Sequence, residues 1–158
     1  MRSAARTSTA VERLGQGAER AINYRQDNWA EQVRELTERR GASVIFDPVG
    51  GDVFDLSTKC IAPEGRILVI GFTSGRIPTV QVNRLLLKNI SIVGALWGDY
   101  ANARPWYLGE VHRALTALYA EGKINPVVSY EYPLDEAPRA MRDVAERRVT
   151  GKSVLVIK

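Results

Sequence analysis

Apolar residues along the chain change their period several times, and each change marks an element. Between Asn28 and Arg40, Trp29, Val33 and Leu36 recur at i, i+4 and i+7, the stripe of an amphipathic helix. Asn28 and Glu31 have the N-x-x-E spacing of a reciprocal cap, and Gly41 supplies a left-handed stop. "ASVIFD" follows, too continuous in apolar residues for a half-exposed strand, which predicts a strand buried on both faces. The alternation then repeats. A helix from about Asp52 puts Val53, Phe54, Ser57 and Cys60 on one side and breaks at Pro63. "RILVIGF" is a second buried strand, a short helix carries Val82, Leu85 and Leu86, and "NISIVGAL" is a third strand. Strands alternating with helices imply right-handed crossovers and a parallel sheet covered on both faces.

After Trp97 the texture changes. "GDYANARP" reads as a loop whose Pro starts a helix running to Glu121, with Leu108, Val111, Leu115 and Leu118 on one face and Gly122 as its stop. "VVSYEY" alternates like a half-exposed strand, "DEAPRAMRDVAERRVTG" is a helix stopped by Gly151, and "SVLVI" is a closing strand. The start is the odd part: "TAVERL" has one or two helical turns, then "GQGAER", then a short strand "AINYR". An α/β domain opening on a helix fragment lacks the strand expected before it. The segments expected are an atypical 1–20, an incomplete dinucleotide-binding domain over 21–100, and further helices and strands of the same subunit over 101–158.

Composition changes this picture little. A chain of 158 residues, 45% hydrophobic and 25% charged, suits one soluble globular domain. No apolar stretch reaches the ~20 residues of a membrane span. "MRSAARTST" is basic but lacks an apolar core for a secretory signal and is too short for an organellar presequence. The net charge of +4 is interleaved with acids, as in "RELTERR", so it reads as solvated helix faces and gives no clustered nucleic-acid footprint. One cysteine, Cys60, excludes an internal disulfide and fits a cytoplasmic setting.

Metal and nucleophile chemistry find few candidates. Cys60 and His112 are the sole Cys and His, against about three or four ligands for zinc. Cys60 falls at a helix end, where the dipole disfavours a thiolate, so a buried structural thiol is expected. Ser74 follows a strand without a G-x-S-x-G elbow. "GQGAER" follows a helix and precedes a strand, with Arg20 at the third glycine position; this is the wrong context for a phosphate loop and the right one for a helix-stop turn. The positive signals are three strand ends: "DPVGG", "GFTSGR" and "ALWGDY". Ligands of open parallel sheets bind beyond carboxyl ends of strands. Spacing alone leaves ordinary βα turns as an equal alternative.

Taken in order, "AINYRQDNWAEQVRELTERRGASVIFDPVGGDVFDLSTKCIAPEGRILVIGF", "LLLKNISIVG" and "RRVTGKSVLVIK" resemble the medium-chain dehydrogenase/reductase superfamily, in its zinc-free NADPH:quinone oxidoreductase branch related to zeta-crystallin. The resemblance runs from about Val11 onward and implies a Rossmann domain binding NADPH, reduction of a quinone or enone, no metal and a homodimer. It places Tyr24 along the adenosine ribose-phosphate, Pro48 and Val49 under the adenosine side, and Gly71, Phe72 and Thr73 beside the nicotinamide ribose. It sets the backbone of Leu96 and Trp97 facing the carboxamide, and Lys152 near the cleft. Tyr24 read alone is an exposed aromatic beside a strand, and Lys152 a solvated lysine. "ISIVGAL" matches the edge strand that pairs with a second copy over Ile90–Leu96; a strand inside the monomer is the alternative. No residue is assigned a catalytic proton-transfer role.

The departures shape the expectation. The family's barrel-like catalytic domain, its first strand with the G-x-G-x-x-G turn, and its second strand have no counterpart, and "GQG" replaces a tight turn. In a sheet ordered 3-2-1-4-5-6, this leaves the Ala21 strand without a neighbour and opens an edge at the Val44 strand. The expected fold is therefore an α/β partial Rossmann lacking its first two strands, plus C-terminal helix–strand elements that belong with the missing catalytic domain. The reading is the C-terminal cofactor-binding part of an NADPH-dependent quinone/enone oxidoreductase, inactive alone and weak in cofactor binding. A non-catalytic dimerisation module of the same fold is the alternative.

Overall fold

In a computed structural model of the chain, residues 2–3, 17–25, 28–146 and 148–157 are described. They fall into two compact units, Met1–Tyr107 and Leu108–Lys158. The first holds β1 (Arg2–Ser3), β2 (Ala21–Ile22), α1 (Trp29–Leu36), β3 (Ala42–Asp47), α2 (Gly51–Cys60), β4 (Ile61–Val69), α3 (Asn83–Lys88), β5 (Ser91–Gly94) and α4 (Trp97–Asn102). A longer helix, α5 (Pro105–Ala120), begins at its end.

Strands β3, β4 and β5 form a wholly parallel sheet in that order. Val44, Ile45, Ile67, Val69, Ile92 and Val93 supply the β-branched content that suits a pleated surface. Ile67, on the central strand, is fully buried and packs with Phe54 of α2, Ile61 and Ile90. A second cluster joins Ile22, Trp29, Ala30, Val33 and Cys60, so α1 and α2 share a core. Ile45 packs against both clusters and links them.

Several expectations are corrected. The strand β3 is not buried on both faces: Val44 is 55% and Phe46 65% exposed, on a face that neither buried cluster covers. The Ala21 strand does have a neighbour, since β2 pairs in parallel with Arg2–Ser3. "TAVERL" lies outside the described residues. Asn28 makes no side-chain cap; its Oδ1 accepts from Gln32 Nε2 at 2.8 Å, which takes it away from the backbone. Leu36, at the end of the predicted stripe, is exposed, and α1 stops there instead of reaching Gly41. Pro63 breaks no helix; α2 ends at Cys60, and Pro63 sits within β4 beside the register shift between Ala42 and Val44. Val82 and Leu86 are exposed, and the first five residues of "GDYANARP" are helical, in α4.

In the second unit, β6 (Val128–Pro133) pairs in parallel with β7 (Lys152–Val156), joined through a 3-10 turn (Leu134–Glu136) and α6 (Ala137–Ala145). Along α5, Leu108 and Leu115 are exposed while Val111 and Leu118 are partly covered. Asp143 of α6 is the polar centre of this unit. The Tyr132 hydroxyl donates to its Oδ2 at 2.7 Å, and Arg148 Nε donates to its Oδ1 at 2.8 Å, with Nη2 of the same guanidinium on that oxygen too. The strand, the helix and the link to β7 thus meet on one carboxylate.

The Tyr132 hydroxyl first, then Arg148, hold the Asp143 carboxyl below its usual range. A depressed folded value means stability that is complete above the unfolded pKa of about 3.9 and is lost as pH falls through the lower folded value. Urea midpoints measured from neutral pH downward are expected to drop across that acid window. Asp143→Asn should be less stable at neutral pH and show a flatter acid limb. An unchanged acid limb in the variant would remove Asp143 from this role.

Candidate functional site

The site is built at the end of the sheet. Parallel register sets Asp47 beside Val69 and Val69 beside Gly94, so the three strand exits leave from one rim. Backbone hydrogen bonds then link one exit to the next. Ile70 N–H donates to the Asp47 carbonyl at 3.0 Å, Thr73 N–H to Pro48 at 3.1 Å and Ser74 N–H to Val49 at 3.0 Å. Ala95 N–H donates to the Val69 carbonyl at 3.0 Å.

Asp47 shapes the first exit. It is buried, and its Oδ1 accepts from the N–H groups of Val49 at 2.9 Å and Gly50 at 3.0 Å, an Asx turn in which one carboxylate satisfies two backbone donors. Gly50 and Gly51 follow at φ 68° and 55°, the left-handed region. A Cβ on Gly50 would lie 2.9 Å from Phe72 Cδ1, and one on Gly51 2.8 Å from Ser74 Oγ. The glycines therefore let the second exit lie directly on the first.

Pro48, Val49, Gly71, Phe72 and Thr73 are brought together by this stitching. Leu96 and Trp97 follow at the third exit, both more than half exposed, with Trp97 opening α4. Space is open there: a Cβ on Gly94 would meet nothing within 4 Å, and one on Gly71 only the Pro48 carbonyl at 3.6 Å. Tyr24 lies two residues beyond β2, in a separate sheet, half-buried against the Ile22–Trp29 cluster. Lys152 is in the second unit, exposed, as the first residue of β7.

Two rim residues lie outside the sequence expectation. Asp47 has one local signal in the sequence, since Asp followed by Pro-x-Gly favours an Asx turn. Arg76 gave no local signal, because its partners are 24 and 21 residues away: Nη2 lies 2.8 Å from Asp52 Oδ1 and 2.5 Å from Asp55 Oδ2. Its pKa is raised by the Asp55 and then the Asp52 hydrogen bond, so the guanidinium stays charged.

The chain's own reactive groups are poorly placed for covalent or metal chemistry. Cys60 is buried, its thiol pushed up to about 11 by loss of solvation, and its Sγ donates to the Ser57 carbonyl at 3.6 Å. His112 is exposed on α5. Ser74 Oγ is engaged with the Arg76 backbone. Among the described residues, no group of three His, Cys, Asp or Glu could hold a metal ion. No helix of the described residues is long and apolar enough to cross a membrane.

Residues 16–155 match the family described as zinc-binding dehydrogenase. The chain is 40% identical over 143 residues to a quinone oxidoreductase-like protein 2 homolog of Nematostella vectensis, covering 90% of this chain and 39% of that protein. It is 38% identical to quinone oxidoreductase-like protein 2 of Bos taurus, covering 90% of this chain and 41% of that one. Its fold matches the crystal structure of Escherichia coli quinone oxidoreductase complexed with NADPH, with a TM-score of 0.86 at 28% identity, over 98% of this chain and 48% of that chain. The chain thus spans about two fifths of the length of these curated relatives. The described residues do not fit the zinc of the family's description.

Gly50→Ala should destabilise the fold by about 1–3 kcal/mol through positive-φ strain and the Phe72 contact, measured by urea unfolding. A neutral outcome would mean that the two exits are not packed as described. Cys60 should react with a thiol-specific disulfide reagent at pH 8 only as fast as the core opens, and promptly in denaturant. Fast native-state labelling would contradict its burial.

Proposed function

The chain belongs to the zinc-binding dehydrogenase family, on its quinone oxidoreductase-like branch, and from that premise we propose that it binds NADPH across the three strand exits. It does so as the cofactor-binding part of an oxidoreductase that reduces quinones or related enones. The observation that carries this reading is the common rim: Pro48–Gly51, Gly71–Thr73 and Leu96–Trp97 leave the sheet side by side, the first two hydrogen-bonded to each other and the third preceded by Ala95, whose N–H donates to Val69 of the central strand.

On this reading Tyr24 covers the adenosine ribose-phosphate end, and its phenol donates to a 2'-phosphate. Pro48 and Val49 run beneath the adenosine side. Gly71, Phe72 and Thr73 line the nicotinamide ribose, and the backbone of Leu96 and Trp97 meets the carboxamide. When bound, the reduced nicotinamide supplies the hydride for a conjugated carbonyl; the chain's contribution is to orient the two and keep water away. Residues 21–100 form the dinucleotide-binding segment, and 101–158 are helices and strands of the same subunit. The second outer strand, β5, has Val93 42% exposed and, among the described residues, no strand paired on its outer edge, which supports pairing of two copies through Ile90–Leu96. Cys60, a lone buried thiol, suits the cytoplasm.

The open β5 edge also favours a second reading, a module that dimerises without turnover. Titration with NADPH against NADH, followed by tryptophan fluorescence, separates the two. Saturable, weak quenching that prefers NADPH and is lost in Trp97→Phe is expected. Dimerisation by sedimentation with no response to either nucleotide would favour the second reading and end the first.

A further inference from the structure

Arg76 has no part in that reading, yet it joins two of the three exits. Its carbonyl accepts from Gly51 N–H at 3.1 Å, its own N–H donates to Ser74 Oγ at 3.3 Å, and its guanidinium spans Asp52 and Asp55. The two acids stand at i and i+3 in the first half of α2, on one face. The helix dipole favours negative charge at Asp52 in the first turn, so one acid is held without help from the arginine. Two carboxylates around one guanidinium leave a local excess of negative charge. Arg76 is therefore not a phosphate ligand in this arrangement.

The contact is also not a large global stabiliser, since the Arg76 side chain is half exposed and exposed ion pairs contribute little. Its effect is local. The turn it closes contains Phe72, Thr73, Ser74 and Gly75, with Gly75 N–H donating back to Phe72 at 2.8 Å. Without the ion pairs, that turn is fastened to the first exit by a few solvent-accessible backbone hydrogen bonds. A loop already in its bound conformation loses less freedom on binding.

We propose that Arg76, through Asp52 and Asp55, is a positioning residue that latches the Gly71–Arg76 turn onto the Pro48–Gly51 turn, so that Phe72 and Thr73 are in place before the cofactor arrives. The purpose of the latch rests on the NADPH reading; the latch itself does not. Amide hydrogen exchange of the unliganded chain tests the latch. In Arg76→Ala, exchange at Thr73 and Ser74 should speed up about tenfold, with core amides such as Ile67 unchanged. Arg76→Lys should restore part of the protection, and the pair Asp52→Asn with Asp55→Asn should mimic the loss without adding to it. NADPH titration then tests the purpose: affinity should fall about tenfold in Arg76→Ala and recover in part in Arg76→Lys. Unchanged exchange at Thr73 and Ser74 overturns the latch. Faster exchange with unchanged NADPH affinity overturns the positioning role. Faster exchange in a chain whose parent binds no NADPH keeps the latch and overturns the cofactor reading. Arg76→Gln guards against a variant that fails to fold.

Discussion

Parallel pairing of β3, β4 and β5 is the constraint from which the site follows. In an antiparallel sheet, successive strands would leave from opposite rims, and the Pro48, Phe72 and Trp97 segments would never meet. Here every crossover returns the chain to the same starting side, so every exit falls on the other. The helices that make the crossovers also bury the sheet: Phe54 of α2 covers Ile67, and Leu85 of α3 packs on the same cluster. The same interaction therefore sets the core and the position of the site.

Register alone would leave three separate turns. What merges the first two is a chain of small polar devices that each satisfy a backbone group. Asp47 takes two N–H donors inside one turn, the carbonyls of Pro48 and Val49 take two more from the next turn, and Arg76 returns a carbonyl to Gly51. The two glycines leave the space this needs. A buried carboxylate would ordinarily be a liability, but here it accepts from two backbone N–H groups at that bend. The rim is then a single backbone surface, with the apolar faces of Phe72, Leu96 and Trp97 exposed beside it.

Much of this was legible in the sequence. The switch between helical stripes and continuous apolar runs located α1, α2, β3, β4 and β5, and the strand exits stood out by their glycines. What local pattern could not carry was burial on the second face of a strand. "ASVIFD" reads as fully covered, because apolar continuity reports what a strand is suited to, whereas coverage depends on a neighbour elsewhere. Val44 and Phe46 are exposed for want of one. The Asn28–Glu31 box failed for a related reason: a side chain that can cap can also pair with Gln32, and spacing does not choose between them. Arg76 was invisible because its partners lie on another element. The opposite case is Cys60, whose helix-end position already argued for an inert thiol, which its burial and raised pKa bear out.

The distribution of charge at the rim limits how a nucleotide could be held. The one guanidinium described there is committed to two carboxylates, and Asp47 is turned inward onto backbone donors. The contacts available at these exits are thus backbone groups and half-exposed apolar side chains, which suit the uncharged end of a dinucleotide far better than its phosphates. Such contacts are individually weak and fall off steeply with separation. A site that depends on them gains most from being rigid, because each ångström of loop movement loses contact that no ionic attraction replaces. The fastening of the Gly71–Arg76 turn bears directly on such contacts, because that turn carries Phe72 and Thr73.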